Sequence, residues 1–195
     1  MVEVACDRAL AVLERLYADD ARQRAAGLPP SERTRNIDRE TGRFLALTVI
    51  ATGAREIFEV GSSNGVSTIW LASGAARTGG RVTGTELIPE RAEEANGNLV
   101  EAGLDDQARV FAGDSRMFLS AFDRPLDVIF LDAEKDDYID HFLSGVDLVR
   151  HGGLILADNV VSHDISAFQQ MVRERADVTS VTLPIERGIE WIVKL

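Results

Sequence analysis

Residues 57–72, IFEVGSSNGVSTIWLA, decide the fold class of this chain. The stretch begins with a short apolar run typical of a buried strand, and a helix-like apolar run follows from about residue 65. Between the two runs, Gly61 and Gly65 allow a tight turn and a close approach of a ligand to the backbone. A strand, a glycine turn and a helix in this order indicate a βα unit, with free N–H groups where the helix starts.

The rest of the chain repeats this alternation of strands and helices. Because such strands pair in parallel and are covered on both faces, we predict an α/β fold with a mostly parallel, Rossmann-like sheet. Besides the strand at 57–60, strands are predicted at 81–86, 109–113, 128–131 and 154–157, and helices at 65–78, 89–102, 115–122, 137–150 and 163–175.

The C-terminal segment breaks the alternation. Residues 178–184, VTSVTLP, and 189–195, IEWIVKL, are two β-rich runs separated by a link too short for a crossover helix. The last strand must therefore run antiparallel to the strand before it. We predict a sheet of seven strands that ends in an antiparallel hairpin, which is not expected of a plain dinucleotide-binding domain.

The chain is predicted to form one domain over residues 1–195. Helices are predicted at about 4–17 and at 41–52, the second ending at Gly53. The N-terminal helical segment accordingly covers residues 1–40, and the core covers 41–195.

Composition and charge exclude several classes of protein. A length of 195 residues with 45% hydrophobic and 27% charged residues suits one globular domain. No apolar stretch approaches the roughly 20 residues that span a bilayer, and the N-terminus does not resemble a signal peptide, so we expect a cytoplasmic protein without membrane association. Cys6, the single cysteine, cannot form an internal disulfide. The net charge of −11 disfavours bulk nucleic-acid binding and is compatible with a cationic ligand or a divalent metal.

The glycine turn favours a nucleoside ligand without phosphates. Its spacing is G-x-x-x-G, and no third glycine completes the phosphate-binding pattern expected for NAD. Glu86 ends the second strand at the distance where an acid binds ribose hydroxyls. Gly113 and Ser115 follow the third strand at the same edge and could border an adenine. The alternative is that the glycines only make a tight turn and that Glu86 is a solvated strand end.

Polar side chains also end the fourth and fifth predicted strands. Asp132 follows the run VIFL, and Asp158 and Asn159 end the run GGLILADN. If the two strands are neighbours, three oxygen ligands converge, which suits Mg²⁺, Ca²⁺ or Mn²⁺. Lys135 would then stand beside the metal as a base or an electrostatic clamp. Alternatively, Asp132 caps a helix and Asp158 begins an ordinary turn.

Taken together, these stretches resemble the cation-dependent class I S-adenosylmethionine methyltransferases of the catechol and caffeoyl-CoA O-methyltransferase type. The most specific element is D-A-x-K-x-x-Y from residue 132 paired with A-D-N from residue 157. The resemblance spans about residues 41–195 and rests on TGRFLAL (41–47), IFEVGSSNGVSTIWLA (57–72), TELIPE (85–90), VIFLDAEKDDY (128–138), GGLILADN (152–159) and the closing TLPIERGIEWIVKL.

The resemblance implies an O-methyltransferase that acts on a small molecule with vicinal oxygens. The metal would chelate both oxygens and lower the pKa of one hydroxyl, Lys135 would take or stabilise its proton, and the oxygen would attack the sulfonium methyl group. The implied metal ligands are Asp132, Asp158 and Asn159, with Asp132 and Lys135 as catalytic residues. The cofactor site expected from the resemblance and the glycine loop comprises Glu59, Gly61, Ser62, Gly65, Ser67, Glu86, Gly113, Ser115 and Asp132.

Two other functions stay open at this point. A relative in the same family could methylate a hydroxylated uridine in tRNA, with a local basic strip compensating for the acidic chain. A protein of another class could bind NAD or a nucleotide and use the acids only structurally. A homodimer is also left open, with Trp191 facing either the core or a partner subunit. The candidate strip consists of Arg33, Arg35, Arg39 and Arg43.

Five further side chains are weighed for a role near the site. His163 is either an acceptor contact or an ordinary loop residue. His141 and His151 are expected to face solvent. Trp70 lies in an apolar helical stripe and is expected in the core, whereas Tyr138 is expected to pack or hydrogen-bond near the site without catalysing.

Overall fold

The computed structural model describes residues 3–29 and 32–195 and contains a seven-stranded sheet covered by helices on both faces. The strands lie in the order β3-β2-β1-β4-β5-β7-β6. They are β1 (Glu56–Val60), β2 (Arg81–Glu86), β3 (Ala108–Ala112), β4 (Leu126–Leu131), β5 (Val149–Asp158), β6 (Val178–Leu183) and β7 (Ile189–Lys194). The helices are α1 (Asp7–Ala25), α2 (Arg39–Thr52), α3 (Val66–Thr78), α4 (Pro89–Ala102), α5 (Ser115–Ser120), α6 (Tyr138–Gly145) and α7 (Ser166–Glu174).

Strand pairing confirms the predicted topology. Strands β1 to β5 pair in parallel, and β7 is antiparallel to both β5 and β6. The carboxyl ends of the parallel strands therefore lie along one edge of the sheet, where ligands bind in folds of this class. In the register between β4 and β5, Leu131 is paired with Ala157. The polar residues that follow these two positions are therefore brought together.

The largest difference from the predicted elements lies between residues 137 and 154. The predicted helix at 137–150 ends at Gly145, and β5 begins at Val149, well before the predicted start at residue 154. The backbone N–H of Leu126 donates to the carbonyl of Leu148 at 2.8 Å, so hydrogen bonding to β4 favours the extended conformation there. The first helix also differs from its prediction, since α1 begins at Asp7 and continues to Ala25.

Two hydrophobic clusters, one on each face of the sheet, hold these elements in place. One cluster packs α1 to α4 against the sheet, and the other packs α5 to α7. Trp70 is 2% exposed, which confirms its predicted place in the core, and its Nε1 donates to the Tyr17 hydroxyl. Helix α2 passes so close that a Cβ on Gly42 would lie 2.3 Å from the Trp70 ring. Burial of a large side chain of this kind stabilises the fold by about 2–3 kcal/mol.

None of the helices within the described ranges is both long and apolar enough to cross a membrane.

Candidate active site

The glycine turn after β1 runs directly over the end of β4. Gly61 has a φ of 87°, and a Cβ at this position would lie 2.3 Å from the carbonyl oxygen of Asp132. Gly65 has a φ of 92°, caps the start of α3 and lies against Ala95. Any side chain at Gly61 would push the turn away from β4, so this glycine holds the predicted cofactor loop against the predicted metal site.

A buried carboxylate lies beneath this turn. Glu59 is fully buried, and its Oε2 accepts hydrogen bonds from the hydroxyls of Ser62, at 2.6 Å, and Thr68. Burial raises the pKa of Glu59, while hydrogen bonds from Ser62, Ser67 and Thr68 oppose the rise. Within the described residues Oε1 of Glu59 is buried without a hydrogen-bond partner. The hydroxyl of Ser62, a predicted cofactor contact, is already engaged by Glu59.

The end of β2 is tied to the same turn. Glu86 Oε2 accepts from the backbone N–H of Ser63 at 2.9 Å, and Oε1 accepts from that of Ile88 at 3.0 Å. The carbonyl of Glu86 accepts from the N–H of Gly113 at 2.8 Å. A carboxylate has about four acceptor positions, so two are left for ligand hydroxyls. Sequence reasoning did not single out Ser63, whose positive φ of 48° aims its N–H at Glu86.

The expectation that His141 faces solvent is wrong. Its side chain is 7% exposed, and Nδ1 lies 2.9 Å from the hydroxyl of Ser115, the predicted adenine contact. Burial lowers the pKa of His141. Since Tyr138, His141, Phe142 and Gly145 are all buried on α6, the helical spacing of these residues was the signal that places His141 on the inner face. His151 is exposed, as expected.

Asp132, Asp158 and Asn159 meet at the carboxyl ends of β4 and β5. The Nδ2 atom of Asn159 lies 2.7 Å from Asp158 Oδ2 and 3.3 Å from Asp132 Oδ1. Among the described residues Oδ1 of Asn159 is buried without a partner. A half-turn of the amide exchanges its nitrogen and oxygen and places three oxygen ligands around one point. The three side chains therefore fit a hard divalent cation.

The charges at this edge also fit a cation. Burial, followed by repulsion from Asp132, raises the pKa of Asp158 to about 8, and the charge of Lys135 opposes this rise. A divalent cation would offset both causes. Within residues 3–29 and 32–195 no group of three His, Cys, Asp or Glu side chains forms a metal site, so the amide of Asn159 has to complete the set.

Lys135 lies beside the two carboxylates and is held there by a tyrosine. Its Nζ lies 3.2 Å from Asp132 Oδ1 and 2.5 Å from the Tyr138 hydroxyl. That hydroxyl lies within donating distance of the carbonyls of Leu131 (2.9 Å) and Asp158 (3.0 Å). Burial raises the pKa of Tyr138 well above its usual range, so the phenol stays protonated. Tyr138 hydrogen-bonds near the site, as predicted, and connects Lys135 to the ends of both strands.

These acids face a small cavity that includes residues from distant parts of the chain. Three of its lining residues are the predicted metal ligands, and Arg187, on the turn between β6 and β7, was not predicted to be there. His163 is exposed, hydrogen-bonds with Ser162 and does not line the cavity. The complete lining is Arg35, Asn36, Ile37, Asp38, Asp132, Asp158, Asn159 and Arg187.

The predicted basic strip is largely neutralised by nearby acids. Arg35 pairs with Glu134 at 2.5 Å, and Arg39 pairs with Glu14. Arg43 pairs with two glutamates, Glu3 and Glu40. Three of the four arginines in the predicted strip are therefore paired with acids, and paired charges attract a phosphate backbone less than free ones.

Comparison with known proteins identifies relatives of this chain. The O-methyltransferase family model matches residues 17–192. A catechol O-methyltransferase of Mycobacterium tuberculosis (strain ATCC 25618 / H37Rv) is 37% identical over 126 residues, which cover 64% of this chain and 57% of that protein. A catechol O-methyltransferase of Niastella koreensis is 35% identical over 155 residues, covering 74% of this chain and 68% of that protein.

Solved structures agree with these sequence relatives. The crystal structure of an O-methyltransferase from Bacillus cereus in complex with SAH matches with a TM-score of 0.81 and 30% identity, covering 95% of this chain and 91% of that one. The alignment with the M. tuberculosis protein, by contrast, spans little more than half of that relative's length. The family and the Rossmann-like fold expected from the sequence motifs are confirmed.

Proposed function

We propose that this chain, which belongs to the O-methyltransferase family, transfers the methyl group of S-adenosylmethionine to one of two vicinal hydroxyls of a catechol-like small molecule. We further propose that a divalent cation, with Mg²⁺ as the first candidate, binds Asp132, Asp158 and Asn159. The observation that carries the proposal is the convergence of these three side chains beside Lys135. The names of the two catechol O-methyltransferase relatives support the acceptor class.

The loops after β1, β2 and β3 supply the proposed site for the methyl donor. SAH, recorded with the B. cereus relative, is what S-adenosylmethionine becomes after losing its methyl group. Glu59 offers a buried acceptor and Glu86 offers free acceptor positions, which suit the ammonium and ribose hydroxyls of such a ligand. Gly61 brings this loop against Asp132, so donor and acceptor would meet where the two sites adjoin.

In the proposed reaction, the bond between sulfur and the methyl group breaks as the acceptor oxygen bonds to that methyl group, SAH leaves, and the hydroxyl proton passes to solvent. A bound divalent cation would supply Lewis-acid chemistry that makes the hydroxyl more acidic. Lys135, in an ion pair with Asp132, places a positive charge and an N–H donor beside the oxygen that becomes negative. Tyr138 holds Lys135 in position. Most of the rate gain would come from orientation and electrostatics, because the chain forms no covalent bond to the substrate.

Binding and turnover together test the proposal. Calorimetry should detect binding of S-adenosylmethionine but not of NAD, and mass spectrometry should detect a singly methylated catechol when Mg²⁺ is present. Chelation of the metal should abolish product, and added Mg²⁺ should restore it. Absence of methyl-donor binding, equal turnover with and without metal, or faster methylation of hydroxylated tRNA would each contradict it.

A further inference from the structure

Arg187 reaches the proposed acceptor cavity from a turn that is fastened to the metal-site loop. Its carbonyl accepts from the N–H of Val161 at 2.9 Å, and the carbonyl of Gly188 accepts from Val160 at 3.1 Å. Gly188 has a φ of 87°, and a Cβ there would lie 2.3 Å from the Val161 side chain. The backbone that carries Arg187 therefore has a defined position beside the residues that follow Asn159.

Arg187 is an arginine in the lining of this cavity. Its side chain is exposed, and within the part of the chain that the structure describes it has no hydrogen bond or ion pair with another side chain. Arg35, which also lines the cavity, is bound to Glu134 at 2.5 Å. Of the two arginines at this site, Arg187 is the one left free to bind a ligand.

None of the three acids that line the cavity is paired with Arg187 in the described part of the chain. Asp132 and Asp158 contact Asn159 and Lys135, and they are the proposed metal ligands. The third acid, Asp38, accepts from the backbone N–H and the hydroxyl of Thr41 at the start of α2. Each carboxylate in the lining thus has a hydrogen-bond partner other than Arg187. The guanidinium of Arg187 is therefore available to a ligand.

Backbone strain is concentrated around the same cavity. The structure gives positive φ to four non-glycine residues within its described ranges, and three of them are Arg35, Asn159 and Glu186, the neighbour of Arg187. Each such residue costs about 1 kcal/mol or more, and strain of this kind often persists where a site must be held in shape. The segments that carry Arg35 and Arg187 therefore share this strained backbone conformation with the loop at Asn159.

We propose that the acceptor is an anionic catechol, whose ring carries a carboxylate, and that Arg187 binds this carboxylate while Arg35 adds a weaker contribution. The inference rests on the proposed function. A planar guanidinium matches a carboxylate with two parallel N–H···O bonds, which gives both affinity and orientation. The hydroxyls at the far end of the ring would then point to Asp132, Asp158 and Lys135.

Four catechols that differ in charge test the proposal by turnover. They are 3,4-dihydroxybenzoate, its methyl ester, unsubstituted catechol and dopamine, with Mg²⁺ and S-adenosylmethionine present. We expect Arg187→Met to lower kcat/KM for the acid about tenfold and to leave the ester within about twofold, because only the acid loses a charged partner. Arg187→Lys keeps the positive charge but loses the paired N–H donors of the guanidinium, so kcat/KM for the acid should fall about threefold. Arg35→Met should lower kcat/KM for the acid by a similar factor.

Arg55→Met is the matched control. Arg55 is an exposed arginine that precedes β1 at the opposite edge of the sheet, and the substitution removes the same charge. The ratio of acid to ester turnover should stay at the wild-type value in this variant. A similar fall in Arg55→Met would mean that net charge, rather than Arg187, sets the preference, and would overturn the proposal.

Binding provides a readout independent of turnover. Calorimetric titration of 3,4-dihydroxybenzoate, with SAH and Mg²⁺ present, should give a Kd about tenfold higher for Arg187→Met than for wild type. Equal losses for acid and ester, an unchanged Kd, or a wild-type preference for dopamine would overturn the proposal. If none of the four catechols is methylated, the proposed function fails, whereas the calorimetric comparison still decides whether Arg187 binds the carboxylate.

Discussion

Two buried carboxylates on neighbouring strands have opposite surroundings. Asp158 ends β5 and is 4% exposed, and Glu190 on β7 is 0% exposed. Glu190 is paired with Ala157, one residue before Asp158, and therefore points to the other face of the sheet. Its oxygens accept from Ser180 (2.7 Å), Thr182 (2.6 Å) and Gln169 (3.0 Å). Asp158 accepts from Asn159 and faces a second carboxylate.

This difference in hydrogen-bond partners indicates that Glu190 is a structural carboxylate and that Asp158 is available for binding. A buried polar group whose hydrogen bonds are complete stabilises the fold and leaves nothing for a ligand. Asp158 accepts a side-chain hydrogen bond from Asn159 and is repelled by Asp132, so the fold tolerates it rather than gains from it. Burial alone does not distinguish the two residues, whereas their hydrogen-bond partners do.

The largest effect on turnover is expected from a substitution at Asp158. Asp158→Asn should lower metal-dependent kcat/KM by about 100-fold or more, because it removes a charged ligand from the proposed cation site. Affinity for S-adenosylmethionine should stay within a few fold, measured by calorimetry. In EDTA near neutral pH, the melting temperature should change little, because a carboxyl with a pKa of about 8 is already largely protonated. Joint loss of donor binding and stability would show that Asp158 is structural.

The equivalent change at Glu190 should have the reverse outcome. Glu190→Gln places an amide where three side chains donate, and it should cost about 2 kcal/mol of unfolding free energy. For a chain of this size the melting temperature should fall by about 4–8 °C, measured by calorimetric scanning. Turnover per folded molecule should be retained. Glu186→Gln, an exposed change in the same hairpin, is the control and should shift the melting temperature by less than about 2 °C.

A substitution at Tyr138 tests the surroundings of Asp158 in more detail, because the Tyr138 hydroxyl links Lys135 to the carbonyl of Asp158. The substitution is Tyr138→Phe. The change deletes one buried hydroxyl and should cost about 1 kcal/mol in stability, measured by urea unfolding. We expect kcat to fall several-fold with little change in KM, since Lys135 loses the contact that holds it. A proportional rise in KM with unchanged kcat would place Tyr138 in substrate binding instead.

The smallest effect is expected for a carboxylate on the surface. Arg175 and Lys194 donate to Asp177 and hold its pKa below the usual range. Since the folded pKa is depressed, the stabilisation is present at neutral pH and is lost as the pH falls below about 4. Asp177→Asn should therefore cost less than about 1 kcal/mol at pH 7. Urea unfolding at pH 7 and pH 3 should show the difference from wild type shrinking at the lower pH.

Much of the site could be predicted because its residues follow strand ends. Asp132 and Asp158 each come directly after a buried apolar run, and parallel pairing brings such positions together at one edge. The turn at Gly61 was equally visible, since it joins a strand to a helix. The boundary of β5 was less predictable, because Val149 pairs with Leu126 of β4 across an irregular register that only the folded chain shows.

Side chains whose role depends on distant partners could not be predicted in the same way. His141 was expected to face solvent as a residue flanking a predicted helix, but α6 turns it toward Ser115. Arg35 and Arg187 belong to segments at opposite ends of the chain, and neither was predicted to line the cavity beside Asp132 and Asp158. Only the folded chain shows that Arg35 is paired with Glu134 and that Arg187 is not.

The amino-acid sequence by itself determined the alternating strands and helices, the closing hairpin and the acids at the strand ends. These features follow from local periodicity and from short links, which do not depend on the rest of the molecule. The tertiary structure alone decided which buried carboxylate is fully hydrogen-bonded, which histidine is buried and which arginine is free. The physical reason is that hydrogen-bond satisfaction and charge compensation depend on neighbours that remote segments bring into place.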